Sequence, residues 1–185
     1  MNALQTRLPT RQELLPVYSI VAFFAFSWTL YRLFWYIPSW LDYLSLWSVL
    51  VIAAYALAFA LVESLCVLGL VALISLAFPT RVFKKFFVPV GSSLAALLSI
   101  GAVLLQRRIN LVYRLELWQL IAYPLALLAL AGTAVLLLSA LFGRFPRLAG
   151  WVSGLAERMT VFAYVYAAFG LAGLAVALAR NLLRF

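Results

Sequence analysis

The run LALLALAGTAVLLLSALF, residues 125–142, decides the fold class because it is apolar over its whole length and carries no charge. A strand of a membrane β-barrel alternates lipid-facing and lumen-facing residues over about 10 positions, and this run does not alternate. A transmembrane helix needs about 20 predominantly apolar residues, which the run nearly supplies by itself. It therefore predicts a membrane-spanning α-helix and argues against a barrel strand.

The composition extends this prediction to the whole chain. The 185 residues are 68% hydrophobic and 10% charged, whereas a soluble domain carries roughly 25% charged residues. A single small globule has too much surface to bury so many apolar side chains. We therefore predict an all-α integral membrane protein, a polytopic helical bundle that lies in the lipid bilayer.

Five long apolar segments follow one another with short connections and no linker of biased composition. Short connections favour antiparallel packing of neighbouring helices, so we predict a single transmembrane helical domain over residues 1–185. The five transmembrane helices are predicted at about 14–36, 40–78, 87–105, 117–142 and 159–179.

The second segment carries one charge, Glu63, between residues 43 and 78. A continuous helix there would be about 54 Å long, against about 30 Å for the hydrocarbon core. A break at 62–64 would make six spans and place Glu63 in a loop. However, turn-forming residues are missing between Ala53 and Cys66. We therefore favour one continuous, tilted helix over the six-span alternative.

Glu63 is the candidate intramembrane polar site. An ionised carboxylate at that depth costs about 2.5–3.5 kcal/mol, so it should be protonated, paired or wetted by a cavity. Ala56 and Ala60 form a small-xxx-small pair beside it, which predicts that Glu63 faces a neighbouring helix. A turn near Pro38 would put Arg32 about 9 Å and Glu63 about 37 Å below it, too far apart to pair.

Two further stripes of small residues are predicted to pack helices, either within the bundle or against other chains. They are Gly91, Ala95 and Ser99 in the third segment, and Gly173 and Ala177 in the fifth. Cys66 is expected to be an apolar filler, since a nucleophilic thiol needs a nearby base and the chain has no histidine.

The net charge of +9 comes from basic residues at the ends of apolar runs, where they anchor helices among headgroups. Nucleic-acid binding is not favoured by this distribution. Contacts with anionic lipid headgroups or a partner are predicted for five arginines, with a solvated connection as the alternative. These are Arg107, Arg108, Arg114, Arg144 and Arg147. The segment 147–158 is expected to be either a short interfacial helix or a solvated loop.

No phosphate-binding loop, dinucleotide fingerprint, carboxylate cluster or metal-ligand spacing occurs in the sequence. We therefore predict no catalytic, cofactor or metal site, and a non-catalytic structural or accessory subunit that binds other membrane chains. The alternative is a small homo-oligomeric transporter or channel that uses Glu63 as an ion or proton site. An intramembrane lipid-modifying enzyme is the weaker alternative.

The short loops and the single cysteine suit a bacterial inner membrane. With a cytoplasmic N-terminus, eight lysines and arginines lie on the cytoplasmic side and six on the other. Because cytoplasmic loops carry the excess of basic residues, this count favours the N-terminus inside.

Overall fold

A computed structural model describes residues 9–77, 86–107 and 117–183, and these residues contain helices and no strand. In chain order the six helices are α1 Arg11–Leu41, α2 Leu46–Ala77, α3 Phe87–Arg107, α4 Leu117–Arg144, α5 Pro146–Arg158 and α6 Thr160–Leu183. Five stretches are long and apolar enough to cross a membrane, one each in α1 to α4 and the fifth in Pro146–Leu182. The predicted all-α helical membrane bundle is confirmed.

The first helix is longer than expected. It continues through Pro38 to Leu41, and the connection to α2 lies at residues 42–45. Pro38 is within one turn of the helix end, so its missing N–H removes only one late hydrogen bond. Thr10 opens the helix, with its backbone N–H and hydroxyl both donating to the Glu13 carboxylate at 2.7 and 2.9 Å.

The second helix runs without interruption from Leu46 to Ala77 and passes through the position of the possible break. The prediction of one continuous helix is therefore confirmed. At about 1.5 Å per residue its 32 residues span about 48 Å. The helix must tilt or extend beyond the hydrocarbon core, which is about 30 Å thick.

Helix α1 occupies the centre of the bundle and contacts α2, α3, α5 and α6. Helix α6 runs parallel to α1, because residues later in the sequence of α1 contact residues later in the sequence of α6. The Phe23 ring lies 5.8 Å from that of Phe162, and Phe26 stacks on Tyr166 at 5.0 Å. Helix α4 contacts mainly α3 and α5, so it lies at the edge of the bundle.

Helices α2 and α6 come closest together at two glycines. A Cβ atom on Gly173 would collide with the Ala54 carbonyl oxygen and would lie 3.1 Å from the Ala58 nitrogen. A Cβ on Gly170 would lie 2.7 Å from Leu61 Cβ. Only glycine leaves room for a backbone approach this close. The Tyr55 hydroxyl donates to Asn181 Oδ1 at 3.2 Å further along the same contact.

The small residues of α3 also lie inside the bundle. Gly91, Ala95 and Ser99 are all buried. A Cβ on Gly91 would lie 3.1 Å from Val17 of α1 and 3.6 Å from Val71 of α2. This stripe packs helices of the same chain.

Candidate functional site: the groove between α1 and α2

An open groove of about 470 Å³ lies between α1 and α2. It is called the α1–α2 groove below. Six lining residues come from α1 and four from α2: Trp28, Thr29, Arg32, Leu33, Tyr36, Trp40, Ala56, Phe59, Ala60 and Glu63. The groove extends from the hairpin end at Trp40 down to Glu63.

Glu63 lies at the deep end of the groove with an exposed side chain. Glu63 borders the groove with residues of the neighbouring helix α1, but its side chain is exposed, whereas the adjacent Ser64 is fully buried. Glu63 follows Ala54 by nine residues at about 100° each, which puts it on the side of α2 opposite the α6 contact. Among the described residues, no ion pair or hydrogen bond reaches its carboxyl group.

Arg32 lines the same groove, which corrects the expected separation from Glu63. The error came from the position of the turn. Arg32 lies about 14 Å before the α1 end at Leu41, and Glu63 about 26 Å after the α2 start at Leu46. The remaining difference in depth is about 12 Å rather than more than 20 Å.

Side-chain direction brings the two groups closer. Helical side chains lean toward the N-terminus of their own helix. In an antiparallel hairpin, Arg32 therefore leans away from the turn while Glu63 leans toward it. The guanidinium carbon of Arg32 lies 5.6 Å from the centroid of the Tyr36 ring, a cation–π distance. The groove thus holds one basic and one acidic side chain.

Aromatic rings form much of the remaining lining. Trp28, Tyr36, Trp40 and Phe59 all border the groove, and Tyr36 stacks on Trp40 at 5.7 Å. These rings present rigid apolar surface around the two charges, a combination typical of binding interfaces. The groove can accept hydrogen bonds, charge pairing and apolar contact. The described residues contain no group of three His, Cys, Asp or Glu side chains placed to hold a metal ion.

The two alanines of the predicted packing pair also line the groove. Ala60 is buried and belongs to a cluster with Ala22 and Phe26 of α1, whereas Ala56 is half-buried. The closest contact of α2 is made instead by Ala54 and Ala58, on its α6 side. The spacing of Gly170, Gly173 and Ala177 on one face of α6 was the sequence signal for that contact.

The predicted headgroup contacts are distributed over both ends of the bundle. Arg144 ends α4 and Arg147 lies in the first turn of α5, and both are exposed. Arg107 ends α3, while Arg108 and Arg114 lie outside the described residues. The segment 147–158, for which a helix and a loop were both open, is helical as part of α5.

Cys66 is exposed on α2 and does not fill the interior as expected. It follows Glu63 by three residues but does not line the α1–α2 groove. Comparisons of the chain with protein-family models, with curated proteins and with solved structures find no match.

Proposed function

We propose that the protein is a non-catalytic subunit of a membrane assembly and that a helix of another membrane chain occupies the α1–α2 groove. The observation that carries the proposal is the exposed Glu63, which has no partner among the described residues at a depth where lipid offers none. Acyl chains have no hydrogen-bond donors, so an exposed carboxyl group there favours a partner that has one.

The energetics are sufficient for specific recognition. Hydrogen bonds between membrane helices contribute about 0.6–2 kcal/mol each. Phe59 and Trp40 add flat aromatic surface between Glu63 and the hairpin end. A partner helix with a polar side chain at the depth of Glu63 would satisfy the carboxyl group and cover the rings. Arg32 adds a second polar contact nearer the hairpin end.

Site-specific photocrosslinking in native membranes tests which molecule occupies the groove. A photoreactive residue replaces Phe59, which lines the groove and is 72% exposed. The matched control replaces Leu130 of α4, which is 66% exposed and outside the groove. We expect a protein adduct of defined mass from position 59 and none from position 130. Lipid adducts alone at both positions would overturn the proposal.

Two substitutions at Glu63 then test the role of its carboxyl group. Glu63→Gln keeps a hydrogen-bonding side chain, so the yield of the adduct should change less than twofold. Glu63→Leu removes the polar contact and should weaken association by about 3- to 30-fold, the equivalent of 0.6–2 kcal/mol. Equal adduct yields for all three proteins would contradict a role for Glu63 in association.

A transporter or channel is the second candidate, favoured by the continuity of the groove from Trp40 to Glu63. Such a groove would let water or an ion reach the carboxyl group from one membrane face. This function requires the charge, so Glu63→Gln should abolish proton or cation flux in liposomes that hold the folded protein. In this case the photocrosslinked adduct would be a second copy of the chain.

We also propose a bacterial inner membrane location with a cytoplasmic N-terminus. Arg11, Arg144, Arg147 and Arg158 lie near the end of the bundle where α1 begins and support this orientation by the positive-inside rule. Single cysteines on a Cys66→Ser background test it in intact cells. A membrane-impermeant maleimide should label Asp42→Cys and not Glu157→Cys, and the reverse pattern would contradict the orientation.

A further inference from the structure

Helix α5 packs near the α1 start and has different neighbours from α6. Its main contacts are with α3 and α1, whereas α6 contacts α2 and α1, so the chain changes neighbours at Met159. The fully buried Ser19 hydroxyl of α1 donates to the Pro16 carbonyl oxygen of its own helix at 2.6 Å and lies 3.0 Å from the Ala156 carbonyl oxygen, so α5 packs directly on α1. Ala149 and Ala156, seven residues apart, form the buried face of the helix.

The depth of α5 matches the membrane–water interface. Helix α1 has 31 residues and is about 46 Å long, against a hydrocarbon core of about 30 Å. The charged Arg11 and Glu13 favour a first turn outside the core, and Ser19 is about 12 Å from the helix start at Arg11. Because Ser19 contacts α5, the short helix lies near the boundary between hydrocarbon and headgroups.

The side chains of α5 divide around its axis in a way that suits this boundary. Opposite the buried alanines lie Arg147, Arg158 and Trp151, all exposed, with Trp151 at 67%. At about 100° per residue, Leu148 and Leu155 lie on one side of the helix between the buried and exposed faces, called the leucine flank. Glu157 and Gly150 lie on the opposite side, called the Glu157 flank. The leucine flank suits the hydrocarbon and the Glu157 flank suits water, as in helices that lie in the interface plane.

The arginines then face the headgroup layer. They lie three turns apart on one side of α5, and Trp151 stands between them. No ion pair or hydrogen bond occupies either guanidinium group within the described part of the chain. Arg presents a planar fork of donors that matches a phosphate, and tryptophan prefers this depth of the bilayer.

We propose that α5 binds anionic phospholipid headgroups through Arg147 and Arg158, with Trp151 seated between the headgroups. The commitment to lipid rests on charge complementarity and on the leucine flank, which a free phosphate would not need. The site is at the α1 start, away from the α1–α2 groove, and does not depend on the proposed partner. Failure of the headgroup site would leave the subunit proposal intact, and the reverse also holds.

Quenching by brominated lipids tests this site in the full-length protein. The protein is reconstituted in vesicles of phosphatidylcholine with about one third phosphatidylglycerol, and either lipid carries the bromine label. The difference in tryptophan quenching between the wild-type protein and Trp151→Phe measures the lipid beside α5. We expect phosphatidylglycerol to be preferred over phosphatidylcholine beside α5 by about 5- to 30-fold. Each arginine should contribute a factor of roughly five, so one gives the lower limit and both give the upper.

Charge removal gives the decisive comparison. Arg147→Gln/Arg158→Gln should reduce the preference to about one, while Arg180→Gln, at the far end of α6, should leave it unchanged. An unchanged preference in the double variant, or an equal loss in Arg180→Gln, would overturn the site. The wild-type protein offers a test without substitution, since its preference should fall as salt screens the arginines. A preference that does not respond to salt would also overturn it.

Discussion

The two sides of α2 differ in how they meet the rest of the molecule. On one side, Ala54 and Ala58 press against Gly173 of α6 so closely that a Cβ atom has no room. On the other side, Phe59 and Glu63 border an open groove. One helix of uniform hydropathy therefore has a sealed face and an open face about 180° apart.

This difference shows where the chain completes its own packing and where it does not. The sealed face is made of small residues, which maximise backbone contact between helices in lipid. The open face has large rings and two ionisable side chains, and several of these groups contact one another, as Arg32 does Tyr36 and Tyr36 does Trp40. This open face is the surface on which the proposed partner helix would pack.

The largest expected effect comes from breaking the sealed face with Gly173→Val. The added side chain would collide with the Ala54 carbonyl, which belongs to backbone and cannot turn aside. Overpacking costs about 1–3 kcal/mol and occasionally more, and we expect about 3 kcal/mol or above here. The measurement is unfolding by sodium dodecyl sulfate in mild detergent micelles, followed by circular dichroism.

Gly69→Val is the matched control for this variant. Gly69 lies in α2, and no atom is within 4 Å of the position its Cβ would take. We expect its free energy of unfolding to change by less than about 0.5 kcal/mol. If both variants were equally stable, the sealed α2–α6 contact would not be what holds the bundle together.

A smaller effect is expected from removing the charge of the open face. Glu63→Leu should favour membrane insertion of α2 by about 2.5 kcal/mol, because the carboxyl group no longer enters the bilayer. The unfolding free energy of the isolated protein should not fall, since Glu63 has no partner among the described residues. Glycosylation-based insertion assays and detergent unfolding measure the two quantities. A clear loss of stability would show that Glu63 serves the fold.

The smallest effect concerns the hydrogen bond between Tyr55 and Asn181, a polar link across the sealed side within the described residues. Tyr55→Phe removes the hydrogen bond to Asn181, and such bonds in membrane bundles contribute about 0.6 kcal/mol on average. Tyr164→Phe, on an exposed part of α6, is the control and should cost nothing measurable. Equal unfolding curves for both variants would mean that small residues alone seal this face.

Much of the architecture could be predicted from local composition. A run such as 125–142 has one stable environment, so the fold class and the five spans followed from hydropathy alone. The continuity of α2 was also predictable, because the absence of turn residues around Glu63 is a local property. The predicted separation of Arg32 and Glu63 was wrong because the sequence placed the first turn near Pro38. The turn lies at residues 42–45, and this position reduces the difference in depth between the two residues.

The sequence by itself determined that the chain crosses a membrane as helices and that Glu63 is the costly residue within them, because transfer free energies sum along the chain. Only the tertiary structure decided which face of α2 meets α6 and which stays open. That choice depends on the rotation and register of neighbouring helices. The close contacts at glycines and the position of the α1–α2 connection determine both. Hydropathy is nearly uniform around α2, so it carries no information about either.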